Sequence, residues 1–240
     1  MDLQDKTKSL LNASRAVLEL ESFESSARKI FDEAKKVTGA QSGYIALLSD
    51  DGSENEVLFL DSGGLDCTVD PNLPMPIRGL RSEAYRKQTA VYNNDFMNSR
   101  WEKFMPDGHV IMKNVMFAPL NVRGKTVGIM GLANKDGNFN EEDVRFATMF
   151  GEYAALALFN SQNLDELRDT VTQLEKTLKE VKQLKSLLPI CSWCKKIRRD
   201  DGYWERVDNY ISSNLDVKFT HGMCPECAAE MEEKIRKQRE

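Results

Sequence analysis

The chain has 240 residues, enough for one large domain or two modest ones, and 41% of them are hydrophobic and 30% charged. Its formal net charge of −5 gives no general reason to expect binding to nucleic acid or to an anionic membrane. The N-terminal residues mix charges and contain no apolar core segment, which disfavours a signal peptide, and no run of about 18 apolar residues is present to span a bilayer. We therefore expect a soluble, cytoplasmic protein.

The first part of the chain predicts two amphipathic helices followed by two strands. Between residues 5 and 38 apolar side chains recur at helical spacing, and Gly39 provides a stop signal. Strands are predicted at 43–48 and 56–60, separated by the turn-forming residues Asp50-Asp51-Gly52. The next segment, up to residue 79, is rich in Gly, Asp and Pro and predicts a long loop.

The middle of the chain predicts a short helix, a short strand and a hairpin. Residues 79–88 have the pattern of a helix, and residues 90–93 that of a strand. Residues 115–120 and 126–133 then predict two strands that are joined through Val122-Arg123-Gly124-Lys125.

A long helix is predicted from Asn140, because acidic residues in its first turn favour the positive end of the helix dipole. From residue 164 onward, apolar residues occupy seven of eight heptad core positions: Leu164, Leu167, Val171, Leu174, Leu178, Val181 and Leu188, with Lys185 the single break. This repeat predicts a coiled coil, and a coiled coil needs a partner helix, most simply that of a second copy in a homodimer. The alternative is a single amphipathic helix packed on its own domain.

Four of the five cysteines form two Cys-x-x-Cys pairs near the C-terminus, Cys191 with Cys194 and Cys224 with Cys227. Two such pairs supply the four thiolates of a tetrahedral structural zinc site, although the spacer between them is longer than in most zinc ribbons. Such a site stabilises a fold too small to be stable alone, so it predicts a separate module. A redox dithiol, an iron site and free thiols are the alternatives. His221 either replaces one cysteine or donates a hydrogen bond from outside the shell.

The order of these elements resembles that of GAF domains. The runs Asn114-Val115-Met116-Phe117-Ala118-Pro119-Leu120 and Gly128-Ile129-Met130-Gly131-Leu132-Ala133-Asn134-Lys135, with Gly124-Lys125 between them, are similar to the last two strands of that family. Residues 139–143 and Phe150-Gly151 resemble the start of its final helix. The resemblance implies an α+β fold in which helices flank an antiparallel sheet. Such domains are ligand-sensing modules, often dimeric, that pass a signal to a C-terminal helix.

The C-terminal part resembles a short cysteine module found at the ends of bacterial sensor and response-regulator proteins, through residues 188–198, Gly202-Tyr203-Trp204 and 221–227. This resemblance assigns the module no activity. The organisation we predict is a GAF-like sensor domain over residues 1–160, a coiled-coil signalling helix over 161–188 and a Cys₄ zinc-binding module over 189–240.

The GAF resemblance also implies a ligand site. In that family the loop containing Cys67 and the segment 106–110 lie on the pocket side. Some sensor-kinase GAF domains hold haem, with a pocket histidine as axial ligand and in some cases a cysteine thioether to the macrocycle, and His109 and Cys67 match those two roles. The apolar residues expected to line the pocket are Phe96, Met97, Trp101, Phe104, Met105, Met112 and Met116. A different small ligand, or no ligand, is the alternative.

The sequence thus predicts a cytoplasmic signal-transduction protein in which a GAF domain senses a small ligand, with haem or another tetrapyrrole among the candidates. The signal would pass through a coiled coil to a zinc-stabilised module that binds an unidentified protein. We expect no enzymatic activity, because no catalytic motif is recognisable. One alternative is a thiol redox sensor or redox enzyme that uses the Cys-x-x-Cys pairs.

A second alternative is a nucleic-acid-binding regulator, indicated by a basic cluster next to Tyr203 and Trp204. The cluster consists of Lys195, Lys196, Arg198 and Arg199. Ten acidic residues balance the ten basic ones from position 189 onward, which disfavours this interpretation.

Overall fold

The computed structural model describes residues 2–19, 22–65, 68–70, 73–185, 188–214 and 216–238. The chain divides into two compact units, Met1–Thr170 and Val171–Glu240. Within the described ranges, every helix is too short or too polar to cross a membrane.

The first unit begins with two helices that pack against each other, α1 (Leu3–Glu19) and α2 (Phe23–Thr38). The Ser22 hydroxyl caps α2 by accepting a hydrogen bond from the backbone N–H of Ser25. Gly39 ends α2 in the left-handed conformation, at φ 76°, which glycine adopts without steric cost. The two predicted helices and the predicted stop at Gly39 are therefore confirmed. Their apolar faces enter the core through Ala13, Val17, Ala27, Ile30, Phe31, Ala34 and Val37.

A five-stranded antiparallel sheet follows, with the strand order β2-β1-β5-β4-β3. Its strands are β1 (Ser42–Leu48), β2 (Asn55–Asp61), β3 (Val91–Asn93), β4 (Val115–Val122) and β5 (Lys125–Ala133). The hairpin predicted between the last two strands is confirmed. Its turn residues Arg123 and Gly124 have φ of 51° and 75°, and two successive positive φ angles suit the right-handed twist of the flanking strands.

The alternation of side chains along each strand separates two apolar layers. Met116, Ala118 and Leu120 of β4 point toward α1, α2 and the fourth helix, α4 (Glu141–Lys185), in the larger core. The intervening residues Val115 and Phe117 belong to a second core with α3 (Leu80–Lys87) and the 3₁₀ turn Phe96–Asn98, and a second 3₁₀ turn, Glu102–Phe104, follows along the chain. The fold is thus the predicted antiparallel sheet flanked by helices.

The helix α4 is a single element of 45 residues. The side-chain oxygen of Asn140 accepts hydrogen bonds from the backbone N–H groups of Glu142 and Asp143 at 2.8 and 3.1 Å, which confirms the predicted start. The first part of α4 packs into the larger core through Ala147, Phe150, Ala154, Ala155 and Ala157.

The second unit contains elements that the sequence did not predict. A two-stranded hairpin, β6 (Ile197–Arg198) with β7 (Trp204–Glu205), is followed by α5 (Val207–Asn214) and α6 (Pro225–Lys237). Cys224 is the N-cap residue of α6. Among the residues of this unit that the structure describes, Ile197 is the one fully buried hydrophobic side chain. The unit therefore has very little apolar core.

Candidate functional site

A cavity of about 670 Å³ lies beside the smaller core of the first unit. Tyr44 of β1 and Val115 and Phe117 of β4 contribute to its wall from the sheet face that packs against α3. Ligand pockets in proteins commonly measure roughly 300–1,000 Å³. The cavity is therefore large enough for a small organic molecule.

The wall opposite the sheet comes from the segment between β2 and α3, from the start of α3 and from the segment between β3 and β4, and the last of these is largely apolar. Five of the predicted pocket residues line the cavity: Phe96, Trp101, Phe104, Met105 and Met112. The predictions for Met97 and Met116 are wrong. Met97 packs against the neighbouring core, and Met116 points to the opposite face of β4 because adjacent strand residues alternate.

His109 lines the cavity and is half-buried, as the sequence predicted for a pocket residue. Its Nδ1 lies 2.9 Å from the backbone oxygen of Val110. A proton on Nδ1 donates to this oxygen and leaves the lone pair on Nε2, the form in which imidazole binds a metal. His109 and the aromatic wall therefore fit the chemistry of haem. The predicted second attachment residue, Cys67, lies outside the described residues.

Two polar atoms in the cavity wall were missed by the sequence analysis. The hydroxyl oxygen of Tyr44 and Nη1 of Arg81 are both buried, and apart from each other they have no hydrogen-bond partner in the described part of the chain. The other terminal nitrogen of Arg81, Nη2, donates to the backbone oxygen of Pro76 at 3.1 Å. A signal for Arg81 was present in the sequence, because a basic residue in the first turn of a helix lies at the unfavourable end of the dipole.

Tyr44 and its neighbour Tyr85 are held in their neutral forms. Burial raises the pKa of Tyr44, an effect that the nearby Arg81 charge partly offsets. Burial also raises the pKa of Tyr85 to about 12, and the Asn55 amide donates a hydrogen bond to its hydroxyl. Both phenols therefore keep their protons at neutral pH, which leaves the Tyr44 hydroxyl able to donate to a ligand.

The later part of α4 carries the predicted heptad stripe on its surface. The six stripe residues within the helix are 41–60% exposed: Leu164, Leu167, Val171, Leu174, Leu178 and Val181. Leu188 was predicted to continue the stripe, but it lies outside helical structure, and the described part of α4 runs from Glu141 to Lys185. Pro189 explains this, since proline disfavours helical geometry in the residue before it.

Cys191 and Cys194 lie in a turn, whereas Cys224 and Cys227 lie at the start of α6, and in both places backbone N–H groups point toward sulfur. The N–H groups of Cys194 and Trp193 lower the pKa of the Cys191 thiol. The N–H of Cys227 donates to Sγ of Cys224 at 3.5 Å and lowers its pKa in the same way. Donors of this kind stabilise thiolates, the form that binds metal, so each pair fits one half of a tetrahedral zinc shell.

The two cysteine pairs do not meet in this structure. Across the residues that the structure describes, no three His, Cys, Asp or Glu side chains come together as a group able to hold a metal. The four-cysteine shell therefore stays a prediction, as does the role of His221, which is exposed.

The basic cluster of the second unit is partly neutralised by neighbouring carboxylates. Nε of Arg199 lies 3.4 Å from a carboxylate oxygen of Asp201 and 3.7 Å from one of Glu205. Close by, Trp193 is 95% exposed. The ion pairs lower the positive potential of the cluster.

The family model for the GAF domain matches residues 21–158, which is more than half of the chain. The chain belongs to the GAF domain family. The resemblance noted in the strands β4 and β5 and at the start of α4 is thereby confirmed, and the cavity described above lies in the GAF domain.

A curated relative of this GAF domain is the methyl sulfide methyltransferase-associated sensor of Methanosarcina acetivorans. The two are 26% identical over 160 residues, which cover 64% of this chain and 16% of the sensor. The chain thus matches only a small part of the length of that relative.

Two solved structures illustrate the shared GAF fold. The GAF domain of a phosphoenolpyruvate-protein phosphotransferase from Coxiella burnetii has a TM-score of 0.59 and 15% identity, covering 69% of this chain and 99% of that one. A bacteriophytochrome from R. palustris has a TM-score of 0.57 and 13% identity, covering 75% and 42% respectively. At these identities the likeness is one of fold.

Proposed function

We propose that this chain is a cytoplasmic, non-enzymatic sensor that binds a small ligand in the GAF cavity. Membership of the GAF family makes sensor-type signalling its class of function. The observation that carries the proposal is the cavity of about 670 Å³, walled by aromatic and methionine side chains with a few inward polar groups. Cavities of that composition are typical of ligand sites.

Haem or another tetrapyrrole is the first ligand to test. His109 would hold the iron of haem as an axial ligand, and haem would supply a redox-active or gas-binding centre. The aromatic wall formed by Trp101 and Phe104, whose ring centroids are 6.4 Å apart and whose planes are 30° from parallel, supports an aromatic ligand.

Titration of the purified protein with haemin, followed by absorption spectroscopy, tests this ligand. We expect a Soret band that is lost in His109→Ala. The matched control is His221→Ala, which removes the other histidine of the chain and should leave the band unchanged. If the protein leaves the spectrum of free haemin unchanged, the result would contradict haem and leave other small ligands as candidates.

For signal transmission, we propose that the exposed stripe of α4 pairs with the same stripe of a second copy. An apolar heptad seam on a single helix buries nothing by itself, and the six exposed stripe residues therefore support a homodimer. A ligand that binds two arrangements of the paired helices unequally would shift their populations by its differential affinity.

For the second unit, we propose a structural zinc ion held by Cys191, Cys194, Cys224 and Cys227. The scarcity of buried apolar residues supports this, since a unit with so small a core needs a metal or another cross-link. The exposed Trp193 supports a role in contacting another protein.

A thiol redox sensor is the second candidate for this unit, because Cys194, Cys224 and Cys227 are exposed. Metal analysis combined with thiol titration separates the two. About one zinc per chain with unreactive thiols in the second unit would support the structural site. A zinc-free protein whose pairs cycle between dithiol and disulfide would support the redox function.

A further inference from the structure

The GAF cavity has a polar region in addition to its apolar walls. Arg81 and Tyr44 both line the cavity, and Nη1 of Arg81 and the Tyr44 hydroxyl are buried next to each other, with no hydrogen bond to any other group in the described chain. Arginine stays charged at any physiological pH, and a buried polar group without a hydrogen bond is unfavourable. In native structures such groups usually satisfy a ligand, an ion or a water molecule.

The surroundings of Arg81 add positive potential. Gly79, Leu80 and Arg81, at the start of α3, line the cavity, and no side chain caps this helix end. Free backbone N–H groups and the helix dipole there favour a negative charge.

The carboxylates in the cavity wall do not offset this potential. Asp61 is ion-paired with Lys35 at 2.5 Å, and Asp70 is exposed on the loop. A second arginine in the wall, Arg78, is exposed and lies over the ring of Phe104 at 5.5 Å. Arg81 is half-buried, with its Nη1 atom fully buried, and is therefore the more enclosed of the two arginines.

The polar position lies directly beside the aromatic wall. A Cβ atom at Gly79 would be 3.0 Å from Cδ2 of Phe104, so the absence of a side chain lets that ring approach the start of α3. A molecule in the cavity can thus contact an aromatic surface and a charged anchor at once.

We propose that the ligand of this cavity is an organic anion, with a flat apolar body against the Trp101 and Phe104 wall and a carboxylate or phosphate that accepts hydrogen bonds from Arg81 and Tyr44. This inference rests on the proposed ligand-sensing function and names its ligand class. A neutral ligand of the same shape would leave the guanidinium unsatisfied.

Calorimetric titration of the full chain with three matched probes tests the inference: 2-naphthoate, 2-naphthyl phosphate and the uncharged 2-naphthamide. We expect at least one anion to bind at least about 10-fold more tightly than the amide, as charge-assisted hydrogen bonds to a half-buried arginine require. The tighter of the two anions identifies the acidic group. Arg81→Met should remove the preference, and Tyr44→Phe should weaken anion binding by about 3- to 10-fold.

Arg78→Met is the matched control, because it removes an exposed arginine of the same cavity wall, and it should keep the preference. A thermal midpoint of Arg81→Met close to that of the wild type would show that the variant folds, although it loses the hydrogen bond from Nη2 to the backbone oxygen of Pro76. Equal affinity for the amide and both anions, or a preference that survives in Arg81→Met, would overturn the anionic ligand while leaving the cavity as a ligand site. No binding of any probe at millimolar concentration would count against both proposals.

Discussion

The two units of this chain differ in how their residues can be held in place. The GAF domain buries two apolar layers on either side of its sheet, and large side chains such as Phe31, Phe139 and Phe150 are almost completely enclosed. The described residues of the second unit bury a single hydrophobic side chain, Ile197. Burial of apolar surface is sufficient to explain the first unit. For the second unit we propose a cross-link through its four cysteines.

Removal of metal should produce the largest effect. Zinc binding contributes about 10–16 kcal/mol in small zinc modules, so Cys224→Ser or a chelator should unfold the second unit and leave the GAF domain folded. Limited proteolysis with mass spectrometry would show new cleavage after residue 188. Cys67→Ser, at the cysteine outside the two pairs, is the control. Unchanged proteolysis of the chelated protein would mean that the second unit does not depend on metal.

Truncation of a core aromatic residue should destabilise the GAF domain, whereas truncation of an aromatic residue in the second unit should have little effect. Phe150→Ala empties a fully enclosed position of the GAF core and should lower the free energy of unfolding by about 3–5 kcal/mol. Phe219→Ala, at a 43% exposed position of the second unit, should change stability far less. Chemical denaturation followed by circular dichroism measures both. Similar losses would show that the second unit has a core comparable to that of the GAF domain.

A charged side chain introduced into the α4 stripe should disrupt the proposed homodimer. Leu174→Lys places an ammonium group in the proposed helix seam and should raise the dimer dissociation constant about 100-fold, because the charge loses its hydration there. Lys176→Ala, on the same helix but outside the stripe, is the control. Analytical ultracentrifugation gives both constants. A wild-type protein that is monomeric at high concentration would contradict the proposed seam.

A smaller effect is expected where α4 approaches the sheet. A Cβ atom at Gly151 would be 2.4 Å from the backbone oxygen of Pro119, so Gly151→Ala forces the helix away from β4 and should cost about 1–3 kcal/mol. Gly222→Ala in the second unit meets no atom within 4 Å and should be nearly neutral. Thermal unfolding of the two variants compares them directly. A stable Gly151→Ala protein would mean that the helix and sheet can separate without loss.

The difference between the GAF domain and the second unit also explains how much of the fold could be predicted from the sequence. The stop at Gly39, the turn at Arg123 and Gly124 and the cap at Asn140 follow from local signals within a few residues, and the structure has each of them. The two-residue strands of the second unit are too short to produce any periodicity, so they were not predicted.

The candidate site was predictable only in part. The aromatic wall formed by the segment between β3 and β4 was predicted correctly, because Phe96, Trp101 and Phe104 are clustered along the chain. Met116 was misplaced because its face depends on the register of β4, which the sequence pattern left open. Tyr44 and Arg81 come from elements far apart in sequence, and only the fold brings the strand and the helix to one cavity.

The central claim is that a ligand in the GAF cavity alters the helix α4, and hydrogen–deuterium exchange of the full chain with and without 2-naphthoate tests it most directly. The probe should slow exchange at the start of α3 and between residues 101 and 112, and should change exchange along the α4 stripe from 164 to 181. Arg81→Met should lose both responses. Protection at the cavity with unchanged exchange along α4 would contradict the claim, because the ligand would then bind without reaching the signalling helix.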